Sequence, residues 1–452
     1  MTYDILKSRL RGTMITVFDP AHAEACDALI WNGRKPARMA KVIVRAADAR
    51  DVQEAVRYAA ANGMTVSARG GGHQFTGIAA RADMVIDLGE LDTLRIDVAG
   101  RSALVGPAVT NTRLASALER HDLGFPAGHC GDVTVSGYLL GGGLGWNSGN
   151  WGIACHSVLS VEVVMADGTL LTASAEENPD IFWAVRGAGP SFFGIVTAYT
   201  LRLHEAPRAP TSCVRLHSAD QAEAVAAWAE RAVARAPALL EFAVKIGAGP
   251  EGPVIAAVAN VFAASEVEAA QVLEEFFRDA PEATLGIVGP MPTPIVALYQ
   301  MTGESTPKGA RYAVDCLWSD GCFEEALLRA VASIAAAPSA LSFVLVALRS
   351  NARPIPADAA FSRAGRVLTT FYGIWTDEEA DAENRDWLGA SMHQFSGVAT
   401  GTYVGESELE RSGLALPTLS EAALRRVEEL QHRYDPAGLF RIADPMAARS
   451  VA

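Results

Sequence analysis

The densest chemistry in the sequence lies in three glycine-rich stretches. The first reads Arg69-Gly70-Gly71-Gly72-His73-Gln74-Phe75-Thr76-Gly77 and directly follows a β-prone run, Val66–Arg69. Consecutive glycines after a strand free the backbone to take positive φ and to aim several N–H groups at one anion. A pyrophosphate fits such a turn. A plain tight turn would use the same residues, and His73 alone reads as a loop histidine. The second stretch runs from Pro126 to Trp146 and sets Gly128, Gly131, Gly137, Gly141, Gly142, Gly143 and Gly145 around His129 and Cys130. A glycine costs a helix about 1 kcal/mol, so backbone this bare has to come close to something flat or charged. The third, Arg186-Gly187-Ala188-Gly189-Pro190, precedes Gly194-Ile195-Val196-Thr197.

None of the three is a dinucleotide-binding Rossmann fingerprint. Gly187-x-Gly189 is followed by Phe192 where a third glycine would stand, and it leads into a strand rather than a helix. Walker A, H-E-x-x-H and nucleophile-elbow patterns are absent. Cys26, Cys130, Cys155, Cys213, Cys316 and Cys322 are scattered without C-x-x-C pairs, which argues against a zinc cluster or a disulfide framework. No metal site is expected.

The elements that must hold these stretches fall into three textures. From Val42 to about Pro207 the chain is glycine-rich with short strands. Val42–Val44 is followed by a helix capped by Asp48, with Val52, Ala55, Val56 and Ala59 on its apolar stripe. Further strands are expected at Met84–Leu88, Leu94–Val98, Ala103–Val105 and Ile195–Leu203. Ser160–Met165 and Thr169–Ala173 flank an Asp167-Gly168 hairpin turn. Thr110 caps another helix. From about Arg208 to Gly401, capping pairs Ser218/Gln221, Ser265/Glu268 and Thr376/Glu379 start amphipathic helices. Between them lie strands at Leu240–Ile246, Pro253–Phe262, Leu341–Leu348 and Val367–Trp375. The tail from Ser407 reads as one more helix, capped by Thr418 with Glu421 and ended by Pro436. Strand runs with helix runs predict an α+β class.

The 452 residues are enough for two or three domains. Lys plus Arg number 38 against 52 Asp plus Glu, a formal net charge of −14. That balance argues against nucleic acid or an anionic membrane surface as the main partner. No apolar run approaches the ~20 residues of a membrane span, and Met1 to Thr16 has no signal-peptide core. The expected setting is intracellular, reduced and cytoplasmic. Oligomeric state is left open.

Taken in order, the strand-Arg-Gly-Gly-Gly-His loop, the Gly-His-Cys segment and the distal Gly-Ile-Val-Thr strand resemble a known domain. It is the PCMH-type FAD-binding domain of the vanillyl-alcohol oxidase superfamily, and within it the berberine bridge enzyme-like FAD-linked oxidases. The resemblance begins near Trp31-Asn32-Gly33, runs through Ala166-Asp167-Gly168 and Asp180 to Gly187, and resumes from Arg433 to Phe440. The resemblance implies an α+β fold in which residues 1–207 form a two-subdomain FAD-binding domain, with its PCMH-type core at about 37–206. Residues 208–402 would form a substrate domain, an antiparallel sheet covered by helices, and residues 403–452 would return to the FAD domain.

The resemblance also implies the chemistry. FAD would be bonded to His73 through its 8α carbon and to Cys130 through C6. A hydride would pass from a CH–OH or CH–N carbon of a small organic substrate (a sugar, alkaloid or other natural product) to the flavin, and O2 would become H2O2. The alternatives are a dehydrogenase or oxidative cyclase of the same fold, or a non-catalytic flavoprotein. Arg69, Gly70, Gly71 and Gly72 would line the pyrophosphate, with Gln74 and Gly77 in the same loop. Gly128, Ser136, Gly137, Gly141, Gly142 and Gly145 would admit the cofactor to the backbone. Gly194, Ile195 and Val196 would sit near the adenine. Val133, three residues after Cys130, would leave oxygen access open. Tyr138 stands where many relatives have a histidine beside the pyrimidine edge, and His156 where they have an aspartate. Tyr372 shares a strand face with Ile374, opposite Phe371, Gly373 and Trp375, and would face the flavin. Trp146 and Trp151 are candidate pocket walls. In Tyr403-Val404-Gly405-Glu406-Ser407-Glu408, Tyr403 would remove the substrate proton, with Glu406 as the other possible base.

Overall fold

Val66–Arg69, the strand that delivers the first glycine stretch, lies parallel to Met84–Asp87, which in turn lies parallel to Val42–Arg45. Thr13–Thr16 closes this four-stranded sheet antiparallel to Val42–Arg45. The protein is seen here as a computed structural model that describes residues 3–411 and 414–441. The end of the expected returning tail, 442–452, lies outside the described residues. Helix Ala49–Ala61 starts where Asp48 accepts hydrogen bonds from the N–H groups of Arg50 and Asp51. It buries Val52, Ala55, Val56 and Ala59 against the sheet.

A second, five-stranded antiparallel sheet runs in the order Leu94–Asp97, Ser102–Val105, Gly194–Arg202, Val158–Met165, Leu170–Ser174. Gly168 makes the hairpin turn with φ of 76°. Helix Asn111–Glu119 begins at Thr110, whose side chain accepts from the Arg113 N–H. Its first turn clamps the cysteine loop: the N–H groups of Asn111 and Thr112 donate to the carbonyls of Val133 and Gly131. These are the amides a helix start leaves without partners.

The third sheet has eight antiparallel strands, in the order Gly286–Pro292, Ala209–Ser218, Gly252–Ala263, Leu240–Gly249, Phe343–Leu348, Val367–Trp375, Arg311–Ser319, Ala399–Gly401. Helices Ala222–Arg235, Glu266–Phe277, Phe323–Ala335 and Asp381–His393 pack on one face, around Trp228, Phe242, Phe276 and Phe371. The other face meets the glycine-rich half, with Cys316, Trp318 and Leu368 against Leu144 and Ile153. Val367–Trp375 is therefore buried on both sides along its whole length. Helix Glu421–Tyr434 packs back on the glycine-rich half through Ala423, Val427 and Leu430, and Tyr434 stacks on Phe193 at 5.5 Å.

Three expected caps differ. Ser218 donates to Asp220 and leads a 3-10 turn, so the helix begins only at Ala222. Asp377 rather than Thr376 accepts from the Glu379 N–H. Ser420 rather than Thr418 accepts from the Ala423 N–H. In the last two cases the neighbouring short polar side chain stands at the residue whose backbone is extended. The Ser265 cap forms as expected, and the Glu268 carboxylate accepts the Ala264 N–H.

Candidate active site

All three glycine stretches converge on one cavity of about 730 Å³ between the glycine-rich half and the large sheet. That volume lies in the ordinary range for small-molecule and cofactor sites. Its wall includes Arg69 to Phe75, Gly128 to Thr134, Ser136, Gly137, Tyr138, Gly141, Gly189, Gly194 and Ile195. The sheet adds Tyr372, the following loop adds Tyr403 to Glu406, and helix Ile295–Ser305 adds Val296, Tyr299, Gln300 and Gly303.

The first glycine loop is shaped for an anion. Gly72 has φ of 69°, and a side chain there would strike the Leu29 carbonyl. A Cβ on Gly70 would run into Ser136 and Thr134, so the two glycine stretches touch. Among the described residues, no hydrogen bond within the protein takes up the N–H groups of Gly71, Gly72, His73 or Gln74. Successive unpaired amides of this kind form an anion-binding nest, which suits a pyrophosphate. Arg69 acts as its strut: its guanidinium pairs with Asp87 at 3.2 Å and donates to the Leu29 carbonyl. The donor set and the volume of the cavity fit FAD.

His73 and Cys130 both face this cavity. Trp31 stacks on the His73 ring at 5.0 Å. Burial pulls the His73 imidazole down to about 4, against the opposing pull of Asp132, so the ring is neutral at neutral pH. Burial pushes the Cys130 thiol up to about 12, with Glu406 and Asp132 adding to the rise. Asn111 Nδ2 fixes the cysteine loop by donating to the Cys130 carbonyl at 3.0 Å. Thr302 Oγ1, on the roof helix, donates to the His129 carbonyl at 2.8 Å.

The catalytic candidates separate. Glu406 and Tyr372 meet: Tyr372 Oη donates to Glu406 Oε1 at 2.9 Å, and Thr370 Oγ1 donates to Oε2 at 2.8 Å. Burial raises the Glu406 carboxyl above its usual value, and the two hydroxyls oppose the rise. Burial and the adjacent Glu406 push the Tyr372 phenol far above its own. Tyr403 is turned to another task. Its Oη accepts the Leu144 N–H at 3.3 Å and its ring packs with Phe361 and Trp318, while burial raises its phenol as well. Tyr138 also differs from expectation: it lines the cavity, but its hydroxyl donates to the Pro126 carbonyl, so its single proton is committed there.

Some expected wall residues lie elsewhere. Gly77, Gly142, Gly145 and Val196 do not line the cavity. Gly77 makes a turn with φ of 64°, Gly142 lies tight under Phe361, Gly145 lies tight under Tyr138 Oη and the Ala127 carbonyl, and Val196 is core. Trp146 packs edge-on to His129 at 4.3 Å and Trp151 stacks on His204 at 5.1 Å; neither lines the cavity. His156 lies 3.1 Å from Asp358, the carboxylate that also holds Arg186. Gln74 lines the cavity and ties the flanking loops together, its Nε2 donating to the Ser407 carbonyl at 3.0 Å. Two groups were missed from sequence. Thr370 lies two residues from Tyr372 and so on the same strand face, a readable signal. The roof helix has no motif of its own.

Residues 40–174 match the family model described as an FAD binding domain. An FAD-linked oxidoreductase of Penicillium crustosum is 28% identical over 407 residues, covering 89% of this chain and 90% of that protein. The (R)-6-hydroxynicotine oxidase of Paenarthrobacter nicotinovorans is 38% identical over 182 residues, 40% of this chain and 39% of that protein. The solved structure of Physcomitrella patens BBE-like 1 superposes with a TM-score of 0.85 at 19% identity, covering 99% of both chains. Domain, fold and cavity define the class: an FAD-binding oxidoreductase. Within that class the chain has the mixed helix and sheet fold of the berberine bridge enzyme-like structure it superposes on, the fold that the resemblance implied.

Proposed function

We propose that the chain is an FAD-dependent oxidase whose flavin is held covalently by His73 and Cys130. It takes a hydride from a CH–OH or CH–N carbon of a small organic substrate and passes the electrons to O2. The observation that carries this reading is that His73, Cys130 and the Glu406–Tyr372 pair all wall one cavity. Bound FAD supplies the acceptor for the hydride. The protein supplies the rest. The amide nest of Gly71 to Gln74 holds the pyrophosphate, and Gly194 and Ile195 lie along the adenine. Glu406 accepts the substrate's O–H or N–H proton through Tyr372, whose Oη donates to Glu406 and keeps lone pairs free for the substrate. Tyr403 positions the loop by holding the Leu144 N–H. The balance closes: the substrate loses a hydride and a proton, and O2 takes two electrons and two protons to leave as H2O2.

An oxygen electrode with a peroxide assay tests this against alcohols, sugars and cyclic amines. The expected result is one H2O2 per substrate oxidised. Anaerobic flavin reduction followed by slow reoxidation in air would contradict the oxidase reading and leave a dehydrogenase.

A further inference from the structure

Among the described residues, Glu406 differs from the acidic groups around it in having no cation. Asp315 pairs with Arg411, and Glu408 pairs with Arg34 at 3.1 Å, so that Arg411 and Glu408 tie the segment after Glu406 to a strand of the large sheet and to the N-terminal segment. The partners of Glu406 are two neutral hydroxyls, those of Thr370 and Tyr372. A buried carboxylate without a counter-ion is costly. Its charge is also felt by Cys130, Cys316, Tyr372 and Tyr403, all of which it disfavours from ionising.

The cations of the cavity are engaged elsewhere. The wall holds Arg69 and Lys308; the first pairs with Asp87 and the second with Asp132 at 2.7 Å. The wall histidines His73 and His129 are both held neutral by burial. Lys245 donates to Ser305 and lies 4.5 Å from the centre of the Phe343 ring, whose stacking on Tyr372 at 4.4 Å leaves that ring between the lysine and the phenol. Beside Glu406 the wall is aromatic. Phe75 meets Tyr372 edge-on at 6.4 Å and Trp31 edge-on at 6.4 Å, and Tyr403 lies on the Glu406 loop. A lone carboxylate next to aromatic rings is a setting that attracts an organic cation.

We infer that the substrate of this site is an amine bound as a cation beside Glu406 and oxidised at the carbon next to nitrogen. This rests on the oxidase reading above and narrows it from two substrate classes to one. The ammonium N–H proton passes to Glu406. The hydride then leaves the adjacent carbon for the flavin, and the nitrogen lone pair closes the C=N bond. The product is an iminium cation, whose charge stays where the ammonium charge was. The rings thus face a cation at both ends of the reaction, and Glu406, neutral once it has taken the proton, becomes a carboxylate again when that proton leaves with the reduced oxygen.

The test separates binding from turnover. Purified holoprotein is titrated with benzyltrimethylammonium and with its neutral isostere, neopentylbenzene, following the flavin absorbance change. The cation is expected to bind at least about tenfold more tightly, as a desolvated cation–aromatic contact alone would give, and Glu406→Gln is expected to erase the difference. Equal binding of the two, or binding of neither, overturns the proposal. In a parallel anaerobic panel, benzylic cyclic amines are expected to reduce the flavin and the matching neutral alcohols not. Reduction by the alcohols alone overturns the amine assignment and leaves the oxidase reading standing. Oxidation of an amine without O2 uptake overturns the oxidase reading and leaves the amine assignment standing.

Discussion

In the proposed mechanism Glu406 carries the proton chemistry, and Glu406→Gln keeps its shape while removing its basicity. Flavin reduction in that variant is expected to slow by about 10²–10⁴-fold, the usual worth of a positioned base. Tyr372→Phe breaks the relay but leaves the carboxylate, so its loss should be smaller, and Tyr403→Phe smaller still. Because burial raises the Glu406 carboxyl, the native reduction rate should climb with pH through a value above the usual glutamate range as the carboxylate forms. A stopped-flow pH series on these proteins checks the order; a Tyr403→Phe loss as deep as that of Glu406→Gln would reverse the assignment. The sequence placed both residues in one six-residue segment but left open which was the base. The choice comes from the partner each side chain finds 34 and 259 residues away, Tyr372 and Leu144, which local sequence does not encode. Val133 lines the cavity, three residues past Cys130. Val133→Leu is expected to slow reoxidation by O2 while sparing reduction.

At the scale of elements, legibility followed burial geometry. Val66–Arg69 and Val367–Trp375 were readable to the residue: the first stops where the Gly70-Gly71-Gly72 run begins, and the second is a run of β-branched, aromatic and aliphatic residues with clear ends. Arg311–Ser319 was not, since Asp315 interrupts its apolar pattern, and only the tertiary pairing with Arg411 makes that aspartate tolerable in a fully buried strand. Ala209–Ser218 was missed for a similar reason: its polar residues are satisfied across the sheet, as in the bond from Ser212 to Asn260 at 2.6 Å. The Asp315–Arg411 pair anchors the loop that carries Glu406, through the Asp315 bond to the Glu408 N–H at 3.1 Å. Arg411→Met leaves Asp315 buried without its cation and is expected to cost about 3–5 kcal/mol of stability. Calorimetry reads that loss directly, and a change below about 1 kcal/mol would show that the pair does not brace the loop.

For the whole molecule, the cavity exists only because three distant stretches and the far face of the large sheet close on one another. The sequence revealed the cofactor side of that cavity through its glycines, whose spacing is set by close backbone approach. It said less of the opposite wall, where Phe75 and Tyr299 line the cavity and Thr370 donates to Glu406 without any motif to mark them. Closure also leaves a pH signature. Burial holds His129 and His204 neutral down to about 4. In the unfolded chain they titrate at about 6.5, so between these values the unfolded state binds more protons and stability rises with pH. Their contribution is present above about 6.5 and is lost as pH falls towards about 4. His204→Gln, away from the cavity, is therefore expected to show a shallower fall in Tm over that window than the native protein.

The central claim is that FAD occupies this cavity and is bonded to the two residues that face it from separate loops, His73 and Cys130. Acid precipitation, washing and peptide mass spectrometry of the purified protein test it most directly. The account predicts a pellet that stays yellow, one FAD per chain, and a flavin cross-linking the peptides that contain His73 and Cys130. Each single alanine variant should then retain the other bond. A colourless pellet with all flavin in the supernatant would contradict it.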